Sequence, residues 1–269
     1  MSGSVSRIRL RLGVDGWRRP AGALYGPGHG LLLQVLRSVS AEASAALHDA
    51  DRRKPFALSP LTVDMRSESV AEATLVINVW DVALSQLLGA ALEAALDLRV
   101  NVGGASAVVV DVTVEPPVRL SALVAMSAPP SVRVSFESPT FFSHGRRFGR
   151  QRYGLLPIPE QVTRSWLRAW QSAGGPGPTP EPVDFLTFGE RVALRGVHDL
   201  STKVVRGEKT ALTGFTGQVS FAWVGEEAWG GRFLVALARF AEYCGTGAKT
   251  GHGFGRTSVC GGRALEAGR

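Results

Sequence analysis

The apolar pattern of this chain switches between a period of two and a period near 3.6 in a fixed order, and that order occurs twice. Period two marks a strand with one buried face, and period 3.6 marks a helix with an apolar stripe. Residues 5–12 alternate polar and apolar and read as a strand. Residues 30–48 carry Leu32, Val35, Leu36, Val39 and Ala43 at helical spacing. Residues 56–63 and 73–80 read as strands, 81–97 as an Ala/Leu-rich helix, and 106–115 as a Val-rich strand ending at Pro116 and Pro117. This β-α-β-β-α-β order is the split βαβ of a ferredoxin-like domain.

The count then restarts. Residues 131–137 read as a strand, a basic loop follows, and a helix is expected around 159–171. After a Gly/Pro-rich spacer, 191–205 and 211–223 read as strands. Residues 226–243 form an amphipathic helix with Trp229, Phe233, Leu237 and Phe240 on one face, and 255–260 form a last strand. The expected fold is α+β, with two tandem ferredoxin-like (RRM-like) βαββαβ domains. The N-terminal domain spans 1–118, a linker spans 119–130, and the C-terminal domain spans 131–269. A length of 269 residues suits two domains of ~100–200 residues each.

Composition removes other classes. With 45% apolar and 20% charged residues the chain is ordinary for a globular protein. It has no run of ~18 apolar residues for a membrane span and no apolar leader after Met1, so a cytoplasmic location is expected. Cys244 and Cys260 are too few for a four-ligand metal site or a disulfide framework, and read as plain buried residues. The histidines at 29, 48, 144, 198 and 252 and the acids show no metal-ligand spacing, so no metal and no cofactor are expected.

Charge points to a partner. Residues 1–130 carry 12 Lys/Arg and 12 Asp/Glu; residues 131–269 carry 18 and 11, so the whole net charge of +7 lies in the second half. A basic surface is the footprint of a polyanion binder. The stretch from His144 to Arg152 holds Arg146, Arg147, Arg150 and Arg152 with no acid, and Phe148 lies among them. Guanidinium forks hold phosphates, and aromatic rings stack on bases. Arg7, Arg9 and Arg11 lie on the solvent side of the first strand and read equally as a solvated face. Trp166 and Trp170, four apart on a helix, read as core.

Residues 245–255 hold five glycines in eleven positions, with Lys249, Thr250 and His252 among them and Arg256 directly after. The segment follows a helix and precedes a strand. That is the reverse of Walker A and dinucleotide loops, and Ala248 and Thr250 stand where those motifs need glycine. Glycines let a backbone approach a ligand and turn N–H groups toward it. The expected role is therefore to cradle a phosphate or RNA, with Gly245, Gly247, Lys249, Thr250, His252 and Arg256 as contacts.

Four stretches in order carry a resemblance. They are His48-Asp49 with Lys54 to Leu61; Phe136 to Phe142 with Leu156 to Glu160; Thr213 to Val219; and Ala238 to Gly255. Together they resemble the CRISPR-associated endoribonucleases that process repeat RNA, the Cas six family. The resemblance implies two tandem ferredoxin-like domains and metal-independent cutting of CRISPR precursor RNA once per repeat. It also implies repeat RNA or crRNA as partner. Effector-complex subunits or a second copy of the chain are further candidate partners, and no membrane is expected.

RNA carries its own nucleophile. A base takes the 2′-OH proton, the oxygen attacks phosphorus, an acid protonates the leaving 5′-oxygen, and cations stabilise the charge. His48, at the expected end of the first helix, resembles the catalytic histidine of many members. Lys54, one of four lysines against 26 arginines, falls in the matching stretch and is expected to hold the scissile phosphate. Leu33 stands where some members carry a tyrosine, so His48 is expected to work with Lys54 or alone. Tyr25 lies upstream of that position, and His29, in the loop before the helix, is a further acid/base candidate. A non-catalytic crRNA-binding subunit of an effector complex is the alternative, and it would need neither His48 nor Lys54.

Overall fold

The structure is a computed structural model describing residues 3–18, 20–48, 54–67, 70–125, 130–148, 150–178, 184–206 and 211–261. The side chains of residues 42, 43, 46, 48, 147, 150, 185 and 186 lie outside that description. The chain divides into two compact units. One holds Ser6–Pro117 and takes in Gly251–Gly253; the other holds Met1–Val5, Val118–Thr250 and Phe254–Arg269.

The unit around Ser6–Pro117 is built on β1 (Ser4–Asp15), β2 (Gly22–Leu24), α1 (Pro27–Val39), α2 (Ala41–His48), β3 (Phe56–Leu58), β4 (Leu61–Met65), β5 (Val70–Val79), α3 (Val82–Glu93), β6 (Arg99–Val102) and β7 (Ala105–Val114). Its sheet runs β2-β4-β5-β1-β7-β6, all antiparallel, with β3 also on β5. The order β4-β5-β1-β7 is ferredoxin-like, with the first strand between the third and fourth. Alternation in β1 decides which face is buried. Ile8, Leu10, Leu12 and Val14 are fully buried in one core with Leu31, Leu32, Val35 and Leu36 of α1 and Leu88, Ala91 and Leu92 of α3. Each such Val, Leu or Ile side chain contributes about 1.5–3 kcal/mol. On the opposite face Arg11 pairs with Glu72 and Asp111, Arg9 with Glu115, and Arg7 bonds Asn78.

Periodicity located these elements, and local chemistry moved their ends. The single helix expected over 30–48 is two helices. Ser38 Oγ bonds Val35 O at 2.6 Å, and Ser40 turns extended at φ −152° while its N–H still closes on Leu36 O; serine side chains compete with the helix in this way. The helix also starts at Pro27, three residues early, because proline supplies a ready-made first helical residue. The strand expected over 56–63 breaks at Ser59-Pro60, since Pro60 has no N–H to give the ladder. Ser59 bridges the break: its N–H donates to Val76 O at 2.8 Å, and its Oγ accepts from Val76 N at 2.9 Å.

In the other unit the elements are β8 (Val118–Arg119), α4 (Leu120–Ala125), β9 (Ser131–Thr140), β10 (Phe142–Arg147), β11 (Arg150–Gly154), α5 (Pro159–Ser172), α6 (Phe185–Glu190), β12 (Val192–Arg206), β13 (Ala211–Trp223), α7 (Ala228–Cys244) and β14 (Thr257–Val259). The sheet order β12-β13-β9-β14 is again ferredoxin-like. Trp166 and Trp170 of α5 are core residues, edge-on to Phe221 and to Phe233 and Phe240. Residues 119–130, expected as a linker, hold part of β8 and the helix α4, whose Leu120 and Leu123 are buried. The expected basic loop is a β-hairpin, β10 with β11. Cys244 is buried and Cys260 half-buried, where burial pushes its thiol pKa up. Among the described residues no helix is long and apolar enough to cross a membrane.

Candidate active site

The start of α1 places the first group. Gly26 takes φ +102°, a conformation other residues rarely adopt, and Pro27 begins the helix. The N–H groups of His29 and Gly30 close on Gly26 O at 2.9 and 3.2 Å, so His29 sits in the first turn and not in a loop. It is 8% exposed. Lys54, just ahead of β3, brings its Nζ to 3.2 Å from His29 Nε2. The rings of His29 and Phe56 are nearly parallel with centroids 6.1 Å apart.

The third side comes from the glycine-rich segment. The His252 ring stacks on His29 with centroids 4.2 Å apart and planes 25° apart. Gly26 N donates to His252 O at 3.1 Å, tying the segment to the start of α1. Gly251 lies against the site: a Cβ there would meet Phe56 at 3.3 Å and Lys54 at 3.7 Å. His29, Lys54, Phe56 and His252 thus form one cluster within the unit that takes in Gly251–Gly253.

An ammonium has only donors, so a charged Lys54 in contact with Nε2 requires that nitrogen as the acceptor. A neutral imidazole beside an ammonium can take a proton while the ammonium meets a nearby anion. A second imidazole in contact adds a group able to return a proton. One residue before Gly26, burial raises the Tyr25 phenol above its ordinary pKa, which keeps it protonated. Among the described residues no three His, Cys, Asp or Glu side chains are placed to hold a metal ion.

The structure places the expected residues one by one. Lys54 is in it, and its histidine partner is His29. His48 closes α2 and its side chain lies outside the described residues. His252 enters as a ring stacked on His29, through a short 3₁₀ turn at Thr250–His252. Lys249, at φ +59°, directly precedes that turn, which begins at Thr250. Phe56 was not singled out as a site residue, although it lies in the stretch that also holds Lys54. Pro27 after Gly26 is the sequence signal that would have put His29 on the helix.

Three of the five glycines use their amides within the protein. The N–H groups of Gly245, Thr246, Ala248 and Gly255 donate to Ala241, Gly255, Phe141 and Pro139 carbonyls, and that of Gly247 donates to Ser165 Oγ. What glycine provides is close approach of backbone to backbone. A Cβ on Gly247 would lie 2.4 Å from Phe141 O, and one on Gly253, at φ +91°, would lie 2.8 Å from Pro60 Cα. Arg256 is occupied by Glu137, with Nε 2.7 Å from Oε2. On the hairpin, Arg146 and Arg152 are exposed, while Arg147 and Arg150 are placed by backbone register only, their side chains lying outside the described residues.

The family model for CRISPR-associated endoribonuclease Cas6 matches residues 134–257, which run from β9 into β14. No curated protein sequence matches the chain. Among solved structures, a Cas6 (TTHB231) product complex is 24% identical with a TM-score of 0.77, over 95% of this chain and 99% of that one. A Cas6 (TTHA0078) product complex is 27% identical with a TM-score of 0.70, over 94% and 99%. Thermus thermophilus Cas6 (TTHB231) is 24% identical with a TM-score of 0.68, over 96% and 99%. The chain thus matches the Cas6 family model over its second half and shares the fold of solved Cas6 structures over nearly its whole length.

Proposed function

We propose that this chain cuts CRISPR precursor RNA within its repeats to produce guide crRNA, without a metal ion, and that His29, Lys54 and His252 carry the reaction. The observation that carries this reading is the 3.2 Å contact between Lys54 Nζ and His29 Nε2 under the stacked ring of His252. When RNA binds, a phosphate oxygen takes over the ammonium and frees Nε2. His29 Nε2 accepts the 2′-OH proton, the 2′-oxygen attacks phosphorus, and the P–O5′ bond breaks. The leaving oxygen takes a proton from His252. The products are a 2′,3′-cyclic phosphate and a 5′-OH. Lys54 balances the extra negative charge of the transition state.

The direct test is incubation of repeat RNA with the protein in EDTA, followed by analysis of the product ends. Cutting with a cyclic phosphate supports the reading; a need for Mg²⁺ or a 3′-hydroxyl product overturns it. His48 is the rival acid/base, and paired variants separate the two. His29→Ala is expected to lose cutting and His48→Ala to keep it. The non-catalytic crRNA-binding alternative has no use for a buried imidazole held against a half-buried ammonium. Hand-over of crRNA to effector subunits, or work as a homodimer, belongs to the same proposal and is checked by sizing the protein with and without RNA.

A further inference from the structure

We propose that His144 and Gln161 form a clasp across Gly154 that sets the basic β10–β11 hairpin against α5 for RNA binding; this rests on the RNA-processing reading above. A Cβ on Gly154 would lie 2.6 Å from His144 Nε2 and 2.9 Å from Gln161 Oε1, with His144 Cδ2 next at 3.4 Å. Gly154 does not hold a positive φ, so its backbone has no need of glycine. The need comes from the space that the imidazole and the carboxamide fill. Gln161 Oε1 is buried and meets no hydrogen-bond donor among the described residues, a state that native structures rarely leave unanswered. The His144 ring nitrogen lies beside it and donates when it carries the proton.

Local geometry brings the pair together. The β10–β11 register is irregular between Ser143 and Arg146, and Gly145 holds φ +74°, which lets the His144 side chain turn back over Gly154. Gln161 comes from the first turn of α5, two residues after Pro159. The hairpin is a two-stranded sheet of its own, and such a pair is marginal without packing. One anchor is apolar: Tyr153 stands edge-on to buried Phe141 with centroids 5.0 Å apart. The clasp supplies a polar one, on the face of β11 that Gly154 shares with Arg152 two residues away. Arg146 and Arg152 are exposed, so fixing the hairpin fixes where their guanidinium groups meet RNA phosphates. His144 and Gln161 act through these arginines and are positioning residues.

The test measures repeat RNA affinity, KM and kcat for the wild-type protein, His144→Ala, Gln161→Leu, the double variant and His144→Gln. His144→Ala and Gln161→Leu are each expected to weaken binding about 2- to 10-fold, the worth of one hydrogen bond. The double variant should lose no more than either single one, because the clasp is already open. His144→Gln returns a donor at the same place and should restore affinity. The loss should fall on KM and leave kcat and the melting temperature unchanged, which separates positioning from loss of fold. Losses that add in the double variant, wild-type affinity in Gln161→Leu, or melting temperatures that fall in step with affinity overturn the proposal while leaving the RNA-processing reading intact. A direct contact between His144 and RNA would give the first two of those results. A wild-type protein that neither binds nor cuts repeat RNA overturns both.

Discussion

At His29 Nε2 the structure joins two residues that lie 25 positions apart in the chain. Lys54 was legible from the sequence because it sits in a stretch with a family resemblance. His29 was legible only as a secondary candidate, because apolar spacing alone begins the helix at residue 30 and leaves the histidine in a loop. The local signal of Gly26 before Pro27 overrides that spacing. For His29→Ala we expect a fall in cleavage rate of roughly 10²–10⁴-fold, the usual span for a general acid or base, with RNA affinity kept, as read by single-turnover cutting and filter binding. Lys54→Ala should slow cutting as well. Because one imidazole must be free and another protonated, the cleavage rate should be bell-shaped in pH, and His252→Ala should remove one limb.

At the level of elements, the alternating strands and striped helices were readable, since side-chain period reports which face is buried. The interruptions were not. Ser38 and Pro60 each changed an element through a single hydrogen bond made or missing, and Ser59 bridges the break at Pro60 with two. The glycine-rich segment shows the limit most plainly: five glycines advertise close approach without saying to what. Here four of them approach other backbone, Gly251 approaches the Phe56 and Lys54 side chains, and the segment brings His252 to His29. Gly255 sits at φ +71°, where an added Cβ would lie 2.0 Å from Thr246 O. Gly255→Ala should therefore destabilise the protein by about 1–3 kcal/mol or more, seen as a lower melting temperature. The buried chain from Trp166 Nε1 to Thr246 Oγ1 to Thr257 Oγ1, each link 2.7 Å, locks the same segment to α5 and β14. Thr246→Val strands the indole N–H and should cost about 1–3 kcal/mol, again by thermal melting.

For the molecule as a whole, two rounds of β-α-β-β-α-β were legible because each round is set by local pattern. The transfer of Gly251–Gly253 to the other unit was not, because nothing near residue 252 encodes that it will meet residue 29. The net charge of +7 lies in the second half, and exposed Arg146 and Arg152 belong to it. Loss of Arg146 should lower the salt slope of RNA binding by about 0.7–0.9, whereas loss of His29 should leave it unchanged. The most direct measurement of the central claim is single-turnover cutting of repeat RNA in EDTA by the wild-type protein, His29→Ala and His48→Ala, with product ends identified. The account predicts a 2′,3′-cyclic phosphate from the wild type and His48→Ala, and no product from His29→Ala on the same timescale. Cutting by His29→Ala at the wild-type rate, or a 3′-hydroxyl product, would contradict it.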